Sequence, residues 1–128
     1  MNPNTHLGID QDLCGVPQAL TPGEAVVVLA TTPVMSVDDR GLVHGGFVFG
    51  AVDQAAMLAV NDPNVVLGAA EVRFTAPVRV GQDVTCTARV VTEKGRKRVV
   101  EVSATADGVA VLGGSLTCFV LDGHVLGD

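Results

Sequence analysis

The chain has 128 residues, enough to bury one ordinary hydrophobic core but not two, so we expect a single domain over residues 1–128. Its net charge of -6 argues against general nucleic-acid binding, because displacing counterions from phosphates needs a dominant positive field. Hydrophobic residues make up 48% of the sequence, which suggests that apolar surface is also buried between the subunits of a homo-oligomer. The three cysteines lack the paired spacing of a zinc site or a disulfide framework, so we expect reduced, structural cysteines and no metal.

Residues 1–23 are rich in proline and glycine, which predicts an irregular N-terminal arm with at most one short helix. We find no recognisable chemistry in this arm. It also lacks a basic flank leading into an apolar run, so it does not resemble a secretory signal. We therefore expect a cytoplasmic protein.

The first regular elements are a strand and a long helix. The run from Glu24 to Thr32 is β-branched and almost continuously hydrophobic, and Pro33 ends the predicted strand. A polar loop over residues 34–43 leads to a predicted helix from His44 to Asn61. Apolar residues lie all round this helix, which indicates that other structure encloses it. It is too short, and Asp53 too central, for a membrane span.

Four further segments have strand character, and turn signals separate them. They cover residues 65–76, 82–93, 98–106 and 109–121. Short hairpin connections favour an antiparallel meander. We therefore predict an α+β domain in which a curved antiparallel sheet of about five or six strands wraps one long central helix.

Asp53 is the first candidate for chemistry. It is the only ionisable residue between Phe47 and Asn61, in a helix that we expect to be enclosed. An unpaired charge there would cost several kcal/mol or more, by order of magnitude, so a function or a structural hydrogen bond must account for it.

Gly45 and Gly46 are the second candidates, because they stand where the helix begins. Without side chains, they would let a carbonyl group approach the free N–H groups and the positive end of the helix dipole. That arrangement can stabilise an oxyanion. A tight turn into the helix is the structural alternative for such a glycine pair.

Together these residues resemble a known family. His44-Gly45-Gly46, followed by an acidic residue nine positions after the histidine, is similar to the signature of hotdog-fold acyl-CoA thioesterases of the phenylacetate-degradation and hydroxybenzoyl-CoA types. Phe74, with Pro77 three residues later and Gly81 four beyond it, resembles the end of a family strand. The resemblance spans about residues 24–121.

The resemblance implies an acyl-CoA thioesterase that works as a dimer or a dimer of dimers, with each active site between subunits. Gly45 of one chain would donate its N–H to the thioester oxygen, and Asp53 of the other would act as nucleophile or general base. His44 would support the site. No cofactor is implied, because CoA is part of the substrate.

Two positions depart from the family pattern. Asp38 stands six residues before His44, where the family often has asparagine or glutamine that places water or substrate. Asp38 is still a candidate catalytic residue, because it could accept a hydrogen bond from water in support of Asp53. A second carboxylate near Asp53 would raise the pKa of one of the pair. The hydroxybenzoyl-CoA type also has threonine one turn after its acid, where this chain has Met57.

Several residues are candidates for substrate binding. Gly46, Phe47 and Phe74 lie in or beside the motifs, and Phe49 and Met57 are further candidates for an acyl tunnel, although such residues are more often plain core. Arg96 and Lys97 belong to a basic hairpin turn that could hold the CoA phosphates or simply be solvated.

We therefore predict hydrolysis of an acyl-CoA to a free acid and CoA, without a nucleic-acid or membrane partner. One alternative is a non-catalytic hotdog module that binds an acyl-CoA or a fatty acyl group. A lesser alternative is an enoyl-CoA hydratase, because Asp39 and His44 stand at the spacing of that family's motif, although its Asn-Pro is replaced by Gly41-Leu42.

Overall fold

The fold is described by a computed structural model over residues 1–127. Its regular elements follow the chain in the order α1 (Gln11–Cys14), β1 (Val16–Thr21), β2 (Glu24–Ala30), a 3-10 turn (Pro33–Met35), α2 (Gly45–Val60), β3 (Val65–Phe74), β4 (Asp83–Lys94), β5 (Lys97–Ala106) and β6 (Val109–Val120).

All six strands form one antiparallel sheet in the order β1-β2-β4-β5-β6-β3. The sheet is curved and α2 is the one long helix packed on it, so the predicted hotdog architecture is confirmed. The predicted helix and five predicted strands agree with the observed ones to within about two residues at each end.

The core lies between α2 and one face of the sheet. Alternate residues of the strands point at the helix, as the two-residue period of a strand requires. The buried strand residues include Ala25, Val27 and Leu29 of β2, Val84, Cys86 and Ala88 of β4, Val100, Val102 and Ala104 of β5, and Leu116 and Cys118 of β6. Burial raises the pKa of Cys86 to about 12 and that of Cys118 to about 11, so both thiols stay protonated.

Two features of the sheet differ from the prediction. The arm contains strand β1 (Val16–Thr21), which pairs with β2 as an exposed edge strand and bulges between Pro17 and Ala19. Its low hydrophobicity and its proline gave no strand signal in the sequence, although both features are compatible with an edge strand. In addition, β3 pairs with β6 and not with β4, so only β4, β5 and β6 form the predicted meander.

Strand β3 (Val65–Phe74) forms the second edge of the sheet. It pairs with β6 on one side only, and residues 68–71 along it are exposed. No helix among residues 1–127 is long and apolar enough to cross a membrane. The cytoplasmic location stays a prediction.

Candidate active site

The start of α2 is held in place by the 3-10 turn and by the loop that follows β3. The N–H of Val43 donates to the carbonyl of Val78 at 2.9 Å, and the N–H of His44 donates to the carbonyl of Met35, also at 2.9 Å. Two neighbouring stretches of chain therefore anchor the last residues before the helix, so the direction of its first N–H groups is set by the fold.

His44 is the N-cap residue of α2. Its Nδ1 atom accepts a hydrogen bond from the N–H of Gly46 at 2.8 Å, and its ring meets that of Phe47 edge to face. When Nδ1 accepts this bond, the ring proton of a neutral imidazole lies on Nε2. A side chain at position 46 would meet Nδ1 at 2.8 Å, so the cap requires glycine there. The Gly46 amide is thus committed to the cap.

The N–H of Gly45 is the free donor at the helix start. It has no hydrogen-bond acceptor among residues 1–127, and it lies at the positive end of the α2 dipole. The ring of Phe74 covers the glycine: a Cβ atom at position 45 would lie 3.4 Å from its Cε1 atom. A carbonyl oxygen that reaches this amide therefore passes beside an aromatic ring.

An apolar pocket of about 460 Å³ opens beside the Gly45 amide. Its lining residues are Val43, Gly45, Val48, Phe74, Thr75, Ala76, Pro77, Val78 and Val111. Of the predicted acyl-binding residues, Phe74 belongs to this pocket and is 55% exposed, whereas Met57 is buried in the core. Phe47 and Phe49 are half-buried and pack against the core.

Asp53 lies two turns further along α2 and is half-buried in the single chain. Its Oδ1 atom is buried and has no hydrogen-bond partner in the described part of the chain. Burial raises the pKa of Asp53, and the nearby His6 partly offsets that rise. The helix is enclosed as predicted, and Asp53 is half-buried within it, while its catalytic role stays a prediction.

Gly45 and Asp53 cannot serve one thioester group within one chain. They are eight positions apart, which in an α-helix corresponds to about 12 Å along the axis and about 80° around it. A tetrahedral intermediate must lie within roughly 3 Å of both the donor and the attacking group. A site that uses both residues needs two copies of α2.

Asp38 and Asp39 lie in the exposed loop before the helix. The Oδ1 atom of Asp38 accepts hydrogen bonds from the N–H groups of Arg40 at 2.9 Å and Leu42 at 3.2 Å, so it organises its own loop. The structure does not bring Asp38 to Asp53 of the same chain. Asp39 forms no hydrogen bond or ion pair with His44 in residues 1–127, so the hydratase-like pair is not assembled in a single chain.

The basic turn between β4 and β5 lies at the far end of α2. Arg98 lines a pocket there with Ala59 and Val60, and its side chain pairs with Glu93 at 2.9 Å. Arg96 pairs with the exposed Asp122, while Lys97 is exposed. Within one chain, Arg96 and Lys97 are therefore about a helix length from Gly45, roughly 20 Å.

His6 was not predicted as a site residue. In the structure it lies near enough to Asp53 for each group to affect the pKa of the other, although it belongs to the N-terminal arm, in which the sequence shows no recognisable chemistry. Nothing in the sequence pattern links the two residues, because they lie far apart in the chain and the arm has no periodicity. No group of three or more His, Cys, Asp or Glu side chains within residues 1–127 is arranged to hold a metal ion.

Comparisons with known proteins place the chain in a family. A family profile described as Thioesterase superfamily matches residues 40–112, which include both glycines and Asp53. The chain is also 49% identical over 123 residues to a protein of Aquifex aeolicus, strain VF5, named methylthioribose-1-phosphate isomerase. That match covers 95% of this chain but only 27% of the Aquifex protein, so the chain spans about a quarter of its relative.

Two solved structures extend the comparison. The protein PH1136 of Pyrococcus horikoshii is 48% identical and has a TM-score of 0.97, with 98% of this chain and 97% of that chain covered. A single-residue mutant of the phenylacetic acid degradation protein PaaI of Thermus thermophilus is 29% identical and has a TM-score of 0.77. That match covers 85% of this chain and 95% of PaaI.

We predict that replacing Asp53 with asparagine stabilises the fold at neutral pH. Because burial raises the pKa of Asp53 in the folded chain, the folded state binds more protons than the unfolded state between about pH 4 and the raised value. The free-energy cost of burying the ionised carboxylate therefore acts in full above the raised pKa and is absent below about pH 4. Urea unfolding at one protein concentration should give a higher midpoint for Asp53→Asn at pH 7, and this difference should vanish near pH 4.

Asp39→Asn is the matched control for this measurement, because Asp39 is an exposed carboxylate in the loop before the same helix. Its midpoint should follow that of the wild type at both pH values. If the urea midpoint rose equally in both variants, the gain would not come from burial of the charge at Asp53.

Proposed function

The chain belongs to the thioesterase superfamily, and from this premise we propose that it hydrolyses an acyl-CoA thioester to a free carboxylic acid and CoA. The observation that carries the proposal is the Asp53 carboxylate, whose buried Oδ1 atom has no hydrogen-bond partner in the described part of the chain. It lies in the same helix whose first amide, Gly45, is free among these residues. Thioester hydrolysis needs a stabilised oxyanion and a nucleophile or general base, and a carboxylate can fill the second role.

In the proposed reaction the thioester oxygen accepts a hydrogen bond from the Gly45 N–H, and its acyl chain enters the apolar pocket beside Phe74. Asp53 then acts by one of two routes. As a general base it takes a proton from water, which attacks the carbonyl carbon. As a nucleophile it forms a mixed anhydride that water hydrolyses. In both routes the C–S bond breaks, the CoA thiolate leaves and takes up a proton, and the carboxylic acid is released.

We infer that two copies of the chain complete each site. The separation of about 12 Å between Gly45 and Asp53 along α2 excludes a one-chain site, whereas a twofold pair of antiparallel helices brings Gly45 of each copy to Asp53 of the other. The open edge of β3 supports such a pairing, because its unpaired backbone groups can hydrogen-bond to a second copy. We therefore propose a homodimer as the smallest active unit.

The same arrangement gives the basic turn a role. If Asp53 of the partner faces Gly45, the partner's helix continues for seven more residues, or about 10 Å, and ends beside its own basic turn. Arg96 and Lys97 of the partner would then lie where the CoA nucleotide emerges, within reach of the extended pantetheine arm. We propose that they bind its phosphates.

A non-catalytic acyl-CoA binder is the rival from another class. A binder gains nothing from a desolvated carboxylate without a partner, because that group weakens folding without improving affinity. The name of the Aquifex relative is not transferred to this chain, because about three quarters of that protein lie outside the match.

The first test is release of CoA from short, long and aromatic acyl-CoA esters, followed with a thiol reagent. We expect hydrolysis by the wild type and its loss in Asp53→Ala. Gly45→Pro removes the proposed oxyanion donor at the first helical position, where proline is well tolerated, and should lower kcat about 100-fold or more.

Gly45→Ala is the matched control, because it adds the same Cβ atom beside Phe74 but keeps the N–H. It should retain most of the activity. Similar losses in the alanine and proline variants would point to crowding against Phe74 and would remove the oxyanion role from Gly45. Tight binding of acyl-CoA without turnover by the wild type would favour the non-catalytic binder.

The two-chain site predicts complementation between two inactive variants. Mixed dimers of Asp53→Ala and Gly45→Pro chains contain one intact site, formed by Gly45 of the first chain and Asp53 of the second. After the two variants are unfolded and refolded together, random pairing should restore about a quarter of the wild-type activity. Each variant refolded alone is the control. Native mass spectrometry that shows mixed dimers without activity would contradict a shared site.

Replacing both Arg96 and Lys97 with alanine should raise KM for acyl-CoA roughly tenfold and leave kcat unchanged, because the loss of two phosphate contacts weakens ground-state and transition-state binding alike. The KM of an acyl-pantetheine ester, which lacks the nucleotide, should not change. Arg89→Ala, which removes an exposed arginine paired with Glu101 on the sheet, is the control. An unchanged KM for acyl-CoA would exclude the basic turn from binding.

A further inference from the structure

The inner wall of the pocket beside the Gly45 amide is apolar. Four of the residues that line the pocket are buried, and all four are valines: Val43, Val48, Val78 and Val111. Within residues 1–127, no residue that lines the pocket has an ionisable or carboxamide side chain. The volume of about 460 Å³ lies in the range of small-molecule sites, roughly 300–1,000 Å³. A group that enters the pocket therefore meets aliphatic surface.

Thr75 is the one polar side chain that lines the pocket in the described part of the chain, and it is exposed, at the rim. Its Oγ1 atom donates a hydrogen bond to the carbonyl of Ala110 at 2.8 Å. A hydroxyl group has a single hydrogen to donate, so Thr75 offers a ligand only lone pairs, and it offers them at the rim. The inner wall gains no hydrogen-bond donor from this side chain.

Backbone hydrogen bonds also occupy polar groups beside the inner wall. The N–H of Val43 donates to the carbonyl of Val78, and the N–H of Thr75 donates to the carbonyl of Val111, both at 2.9 Å. These two donors hold the loop after β3 against its neighbours, so they are not available to a ligand. In the proposed reaction the free Gly45 N–H binds the thioester oxygen, which leaves the acyl group to the apolar wall.

The position of Phe74 determines what the acyl group meets first. Because a Cβ atom on Gly45 would lie 3.4 Å from Cε1 of this ring, the first carbons of an acyl group bound to the Gly45 amide lie against the ring. The buried valines line the pocket beyond it. A polar substituent on the acyl group would lose its water along this path and would find no hydrogen-bond donor on the side chains of the inner wall.

We propose that the site selects apolar acyl groups, either alkanoyl or unsubstituted aryl groups, and discriminates against acyl groups that carry a hydroxyl or a second carboxylate. The inference rests on the proposed hydrolase function, since it names the substrate class of that same pocket. Burial of a hydroxyl without a partner is unfavourable, and burial of an unpaired charge is far more so. The partner's Asp53, which in the proposed dimer faces the thioester carbon, adds repulsion against a second carboxylate.

The first experiment measures binding and needs no hydrolysis. Ketone analogues of acyl-CoA, in which a methylene group replaces the thioester sulfur, keep the carbonyl for Gly45 but cannot be hydrolysed. Calorimetric titration of the intact protein compares hexanoyl with 6-hydroxyhexanoyl analogues, and phenylacetyl with 4-hydroxyphenylacetyl analogues. We expect the hydroxyl to raise Kd roughly 10- to 100-fold, the range over which an apolar pocket rejects such a substituent.

The adipoyl analogue, which ends in a carboxylate, should bind no better than CoA alone, because its charge would be buried without a partner. The Kd values of the hexanoyl and phenylacetyl analogues distinguish an alkanoyl from an aryl preference. Equal Kd values within both hydroxylated pairs, or an adipoyl analogue that binds as tightly as the hexanoyl analogue, would overturn the proposal.

The second experiment supplies the missing partner. Val111→Thr keeps the β-branched shape of an inner-wall side chain but adds a hydroxyl, so it should reduce the Kd ratio of hydroxylated to parent analogue about fivefold. Val78→Thr repeats the test from the loop after β3, in case the first variant does not fold. Val100→Thr makes the same change at a buried valine of β5 that does not line the pocket, and it should leave the ratio unchanged. An unchanged ratio in both wall variants, or an equal change in Val100→Thr, would contradict selection by the valine wall.

Binding and turnover together separate the two claims. If the analogues bind in the expected order but no ester is hydrolysed, the proposed hydrolase function fails and the preference of the pocket stands. If hexanoyl-CoA, 6-hydroxyhexanoyl-CoA and adipoyl-CoA are hydrolysed with equal kcat/KM and their analogues bind equally well, the hydrolase stands and the proposed substrate class falls.

Discussion

The carboxylate of Asp53 is the constraint around which the rest of the molecule is arranged. It lies in a helix that is apolar on nearly every side, and its Oδ1 atom is buried without a partner in the described part of the chain. Such a group weakens folding unless something in the working protein compensates for it. Within one chain His6 offsets only part of the effect of burial on the pKa of Asp53. In the proposed reaction, water or a thioester carbon becomes the partner of the carboxylate.

The start of α2 shows how a helix end can be divided between structure and chemistry. His44 takes the Gly46 amide for its own cap, which leaves the Gly45 amide as the donor beside the apolar pocket. Because this donor and Asp53 lie about 12 Å apart on one rigid helix, chemistry that uses both requires a second copy. Catalysis and oligomerisation are thus linked by helix geometry in the proposed scheme.

Much of the fold could be predicted because its signals are local. The helix carries good helix formers and a stop signal at Asn61, and the strands alternate or are β-branched, so their existence followed from side-chain periodicity. Strand β1 could not be predicted, since an exposed edge strand lacks such a period and is defined by its partner. The pairing of β3 with β6 is equally non-local, because strand order depends on the packing of the whole sheet.

By itself, the sequence determined five of the six strands, the helix that begins after His44, and an acidic residue in the middle of that helix, because hydrophobic period and motif spacing are properties of neighbouring residues. The hotdog architecture followed from the resemblance of the motif to a known family. Only the tertiary structure decided which glycine amide is free, that Asp38 organises its own loop, and that the basic turn lies at the opposite end of α2 from Gly45. It also placed the first 15 residues of the chain along this helix, since hydrogen bonds to Asn61 and Gln54 hold them there. Contacts of this kind join residues far apart in the chain, and no local pattern encodes them.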